Sequence, residues 1–173
     1  MKQLAGRVPV LEPLLAKADH VDVKTIDSAA DMRTFIAGML SYTPFWLKFL
    51  YGVRWAFVRL LGMRQEGIPL ARPLHPTDVP FTPGDAATFF TVTMAEPEKY
   101  WVAEAADTHL IAYIGVVAEP LTQGSRFHVV TIVHYRHWTG PVYFNVIRPF
   151  HHIVVRQMMK AGAQYKPAIG EFA

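Results

Sequence analysis

The run RFHVVTIVHYRHWTGPVYFNVIRPFHHIVVRQMM, residues 126–159, decides the fold. From Arg126 to Arg136 it is rich in β-branched and aromatic residues with period two, which predicts a strand. At Trp138-Thr139-Gly140-Pro141 the period becomes helical, with Thr139 or Gly140 as the cap and Pro141 at or near the first turn. Tyr143, Ile147, Phe150, Val154 and Met158 then form one apolar stripe, and Asn145, Arg148, His152 and Arg156 take the opposite arc. Pro149 predicts a kink near Asn145 to Pro149, and Gly162 a stop. A strand therefore feeds a long closing helix.

Upstream, period two recurs over 88–95, 100–105 and 109–118, joined through Glu96-Pro97, Ala106-Asp107 and Gln123-Gly124. An antiparallel meander follows. Nearer the start, Val21, Val23 and Ile26 suggest a short first strand. Ser28 reads as an N-cap with Asp31 in the capping-box position, ahead of Met32, Phe35, Ile36, Met39 and Leu40 at helical spacing. Helices are predicted over 28–42 and 44–61. Residues 1–20 read as an arm packed across the surface, and 62–84, rich in proline and glycine, as a long loop shaping a cavity mouth.

The 173 residues fit a single domain, and 51% hydrophobic against 18% charged residues favours a large core or an internal apolar surface. With no cysteine, disulfides and thiolate chemistry are excluded. Net charge is only +3 and the cations are dispersed, which argues against nucleic acid as a partner. Residues 45–61 are apolar around most of the wheel, but Lys48, Arg54 and Arg59 would each cost about 2.5 to 3.5 kcal/mol at a bilayer centre. An integral membrane segment is not expected. A core helix is the plainer reading, with an interfacial helix or a homodimer face as alternatives. The start of the chain does not read as a signal peptide, so a cytoplasmic location is expected.

Motifs for chemistry are sparse. Serine occurs only at 28, 41 and 125 without a GxSxG context, and neither GxxxxGK[ST] nor GxGxxG is present, so no nucleotide cofactor is expected. Eight histidines are present, but HExxH is not, and His151 and His152 project about 100° apart on a helix, so no metal is expected. His151 lies about 40° from Ile147 and about 20° from Met158 on the wheel, facing the sheet, whereas His152 faces solvent. A buried imidazole needs a partner. It is either a core histidine bonded to a strand or a tyrosine, or a polar group directed into a ligand cavity. Asp107-Thr108-His109 reads as an acid–base pair or, more simply, as a turn capped by Asp107.

Taken together, Trp46-Leu47, Val53-Arg54, Leu61-Gly62-Met63, Asp107-Thr108-His109-Leu110, Thr131-Ile132-Val133-His134, Gly140-Pro141-Val142-Tyr143 and Pro149-Phe150-His151 resemble the uncharacterised bacterial domain-of-unknown-function 2867 family. In element order that family resembles the helix-grip proteins, which include plant-allergen-like and lipid-transfer-like domains. The resemblance implies an α+β fold in which a curved antiparallel sheet wraps a long C-terminal helix, with two helices after the first strand. It also implies a cavity for a hydrophobic or amphipathic small molecule, lined by Phe90, Val92, Tyr143, Ile147 and Phe150. Arg54, His109, Tyr113, His134 and His151 are the polar candidates. A helix-grip enzyme of cyclase or hydratase type is the alternative, as is a partner- or membrane-surface-binding protein using residues 45–61.

Overall fold

The computed structural model describes residues 8–46, 73–106 and 109–166. The predicted helix 44–61, apart from its first residues, and the loop 62–72 lie outside them.

Six strands, β1 (His20–Ser28), β2 (Ala86–Ala87), β3 (Phe90–Glu96), β4 (Tyr100–Ala106), β5 (Leu110–Pro120) and β6 (Ser125–Tyr135), form one antiparallel sheet. Its order is β1-β6-β5-β4-β3-β2, so the predicted meander is closed at one edge by the first strand. β1 pairs with β6 along its whole length, from His20 opposite Val133 to Ser28 opposite Ser125. A bulge between Val92 and Met94 breaks the β3–β4 register, the kind of irregularity that bends a strand and increases its twist. The helices α1 (Glu12–Ala16), α2 (Met32–Leu40) and α3 (Thr139–Gln164) accompany the sheet, with short 3-10 helices at Pro9–Leu11 and Pro76–Asp78. A sheet with a long C-terminal helix across it is the helix-grip arrangement.

Helix α2 starts later than expected. Asp31 is the N-cap, its carboxylate accepting from Thr34 N at 2.8 Å and from the Thr34 hydroxyl at 2.8 Å. Ser28 instead ends β1, its hydroxyl accepting from Ala30 N and donating to the Ala163 carbonyl at 3.2 Å. Replacing Asp31 with alanine is expected to cost about 1 kcal/mol in a urea melt, and Ser28→Ala less than half of that.

One face of the sheet carries the main core. Phe35 and Met39 of α2 meet Trp101, Val116, Phe127 and Val129 of the sheet and Val155 and Met159 of α3. Phe35 stacks on Phe127 at 4.2 Å, and the Trp101 indole donates to the Pro80 carbonyl at 2.9 Å. The described part of the 62–84 loop thus covers this core, with its Val79 buried there and Leu74 and Phe81 packed against it. Helices α2 and α3 touch through glycine. A Cβ at Gly162 would lie 2.5 Å from the Phe35 carbonyl, and one at Gly38 2.9 Å from the Gly162 Cα. Gly162 is therefore a point of close approach inside α3, not its stop.

The opposite face is covered too. Val8, Leu11, Leu14 and Leu15, before β1, pack on Val102, Val117 and Tyr113. Both faces of the central strands are thereby buried, which explains their nearly continuous apolar runs.

Candidate functional site

The helix stripe is displaced by one residue from the one predicted. Phe144, Val155, Met159 and Gly162 are buried, together with Tyr143, while Phe150 is 42% exposed and Ile153 52%. Between residues 150 and 159 apolar side chains occur on most of the wheel, so the sequence leaves the facing side undetermined. Phe150, expected in the cavity, instead lines a shallow depression of about 320 Å³ with Trp46, Ile153 and Gln157 on the side of α3 away from the sheet.

The remaining candidates separate into three places. Tyr113 and His134 lie on the outer face, their rings 5.5 Å apart, and Tyr113 sits opposite Glu104 across β4–β5. Burial first, then the Glu104 carboxylate that accepts its hydroxyl proton, raises the Tyr113 pKa. His109 sits at the start of α3, its Nδ1 2.8 Å from the Thr139 hydroxyl, which also lies 3.1 Å from His137 Nδ1. It anchors the helix entrance. Tyr143, Ile147 and His151 alone among the described candidates lie between α3 and the sheet. Arg54 lies outside the described residues, as do Asp107 and Thr108. Val92, expected to line a cavity, is 1% exposed within the filled core, because α2 occupies that end.

What the sequence reading missed is on β1. Its residues alternate, and the side facing α3 is His20, Asp22, Lys24 and Ile26, paired across to Val133, Thr131, Val129 and Phe127. The valines that signalled the strand point the other way. Lys24 donates to the Asp22 carboxylate and lies 3.0 Å from His152 Nδ1. Its side chain is only 11% exposed and that of Asp22 20%. Burial, then the Arg156 charge, pushes the Lys24 pKa down. The Asp22 carboxylate beside it opposes that shift. His152 is partly exposed, its side chain 37% accessible, while its Nδ1 edge meets this pair, with burial first and Lys24 second lowering its pKa. A neutral His152 accepts the Lys24 proton at Nδ1, which leaves the 3.3 Å approach to Asp22 without a hydrogen.

Four rings form a closed cycle beside this pair, which His152 touches. His20 lies 4.8 Å from Phe144, Phe144 6.3 Å from His151, His151 6.2 Å from His152 and His152 6.4 Å from His20. His20 Nε2 and His151 Nδ1 are shut off from solvent without a hydrogen-bond partner. The core histidine bonded to a strand or tyrosine, expected for His151, is thus not formed at Nδ1. Burial, followed by the Lys24 charge, lowers its pKa to about 4, and His20 is lowered by burial and then Arg148. Among the described residues no three histidine, aspartate or glutamate side chains are placed to hold a metal ion.

This polar belt divides the inner face. The α2 core lies to one side, and on the other Leu110, Val133, Tyr143 and Phe144 form a separate apolar cluster with Ala112, Tyr135 and Ile147 against it. Another depression, of about 570 Å³, lies on the outer face near Val8, Tyr100 and the 3.0 Å Glu119–His128 pair. No described helix is long and apolar enough to cross a membrane.

Solved structures of similar shape include a protein from Mesorhizobium loti, at 10% identity and TM-score 0.42, covering 82% of this chain and 96% of that one. Norcoclaurine synthase from Thalictrum flavum, in complex with dopamine and hydroxybenzaldehyde, matches at 12% and 0.39, covering 83% and 86%. Ara h 8.0201 matches at 8% and 0.37, covering 83% and 97%. No curated protein matches the chain. The family model described as "Protein of unknown function (DUF2867)" matches residues 14–158, most of the length, and the chain belongs to that family.

Proposed function

We propose that this protein binds a small amphipathic molecule between β1 and α3. The polar end meets His20, Lys24, His151 and His152, and the apolar part lies against Leu110, Val133, Tyr143, Phe144 and Ile147. The observation that carries this reading is that His20 and His151, two of the three described histidines with a buried ring nitrogen lacking a partner, come together here, the third being His134 on the outer face. Each unsatisfied group costs about 1 to 3 kcal/mol, and apolar residues would fill the same space without that penalty. Placement of polar groups beside an apolar cluster is the usual make-up of a small-molecule site. The cyclase or hydratase reading is supported less well. An imidazole with a pKa of about 4 is a weak general base at neutral pH, and Lys24 is engaged by Asp22.

A thermal-shift screen of fatty acids, polyketides and sterols tests the proposal. A ligand selective for the native state stabilises it by RT ln(1 + [L]/Kd), about 2.7 kcal/mol at a hundredfold excess over Kd. At least one class should raise the melting temperature of the wild-type protein, and His151→Leu should abolish the rise. A screen in which no class moves the melting temperature would contradict the proposal.

A further inference from the structure

We propose, resting on the binding reading above, that the polar end of the ligand is a carboxylate, received from two sides by His20 and His151. In the four-ring box these two histidines occupy opposite corners, with Phe144 and His152 at the others. Each offers a buried nitrogen that nothing in the described structure engages. A planar group with two oxygens, each accepting one N–H, satisfies both at once.

The charges around the box select the sign of the ligand. From β1 come Lys24 and Asp22, which pair with each other. From α3 come Arg148, Arg156 and His152, and from β6 the Tyr135 hydroxyl. Asp19, beside β1, accepts from Tyr135 N at 2.6 Å. Cations thus outnumber carboxylates, and the charges of Lys24 and Arg148 act to disfavour protonation of His151 and His20 respectively. An anion placed between the rings reverses that penalty. It raises both histidine pKa values, so binding draws protons from solvent and strengthens as pH falls. A cationic head group would meet the repulsion that, after burial, disfavours protonation of the histidines, and an alcohol would gain nothing from the field.

Chain-matched probes separate these cases: decanoate, decanol and decylamine, titrated calorimetrically into the full chain at about pH 6 and about pH 8. Decanoate should bind at least about tenfold more tightly than decanol at the lower pH, and its affinity should fall about tenfold at the higher one. Repeating the titration in two buffers of different ionisation enthalpy should show net proton uptake by the wild-type protein, a readout that needs no variant. His20→Leu and His151→Leu should each weaken decanoate by a larger factor than they weaken decanol. Equal affinities for decanoate and decanol, or no proton uptake, would overturn the carboxylate assignment and leave the binding reading standing. Failure of all three probes to bind overturns both.

Discussion

Acidification from pH 7 to pH 4 is expected to cost the folded protein about 2 to 3 kcal/mol through His151 alone, a loss that His151→Leu removes. His151 has its pKa lowered to about 4 in the folded chain, against about 6.5 for a free histidine. A depressed histidine stabilises the fold fully above 6.5. As pH falls below that value the unfolded chain binds a proton that the folded one excludes, and stability declines toward pH 4. The shift corresponds to roughly 3 kcal/mol, discounted because part of the ring meets solvent. His20 and His152 are shifted the same way and add to the trend. Urea melts at several pH values measure it. The stability difference between His151→Leu and the wild type should be constant near neutral pH and widen progressively in acid. Parallel curves would show that His151 titrates as an ordinary exposed histidine.

Removal of Asp22 is expected to be the more damaging of two ways to disturb its pair. Asp22→Leu leaves the Lys24 ammonium, 11% exposed, with the His152 nitrogen as its one hydrogen-bond partner among the described residues. Breaking a buried pair costs about 3 to 5 kcal/mol, and partial exposure of Asp22 reduces this to about 2 to 3. Replacing both, as Asp22→Leu with Lys24→Met, takes away the stranded charge and should restore most of the loss. A double variant no more stable than Asp22→Leu would contradict the burial of Lys24.

The sheet and closing helix are legible because alternation gives way to helical spacing at Trp138, and Gln123-Gly124 marks the β5–β6 turn. Pairing of β1 with β6, from His20 to Ser28, is a long-range contact that no local signal specifies. Which side of each strand faces inward is also hidden. Along β5 both Leu110, Ala112, Ile114 and Ile111, Tyr113, Gly115 read as core, because Val8 to Leu15 cover the second face. Hence Tyr113 and His134 are legible as strand residues but not as outer ones. On β1 the valines give the strand, yet the polar alternation of His20, Asp22 and Lys24 is the side that meets α3. Its continuation to Ile26, opposite Phe127, is the cue that identifies the inward face. His151 is legible as facing the sheet from wheel position alone. His152 is legible as partly exposed, but its contact with Lys24 is not, because the wheel ignores the reach of β1 under the helix edge.

The measurement that bears most directly on the proposed site is the ring-nitrogen NMR spectrum of the protein with 15N-labelled histidine, recorded while decanoate is added. The β1–α3 assignment predicts that the His20 and His151 signals move toward the protonated range, while His109, His128 and His134, which lie at the α3 entrance and on the outer face, stay in place. Shifts confined to His128 and His134 would place binding on the outer face of the sheet and contradict the assignment.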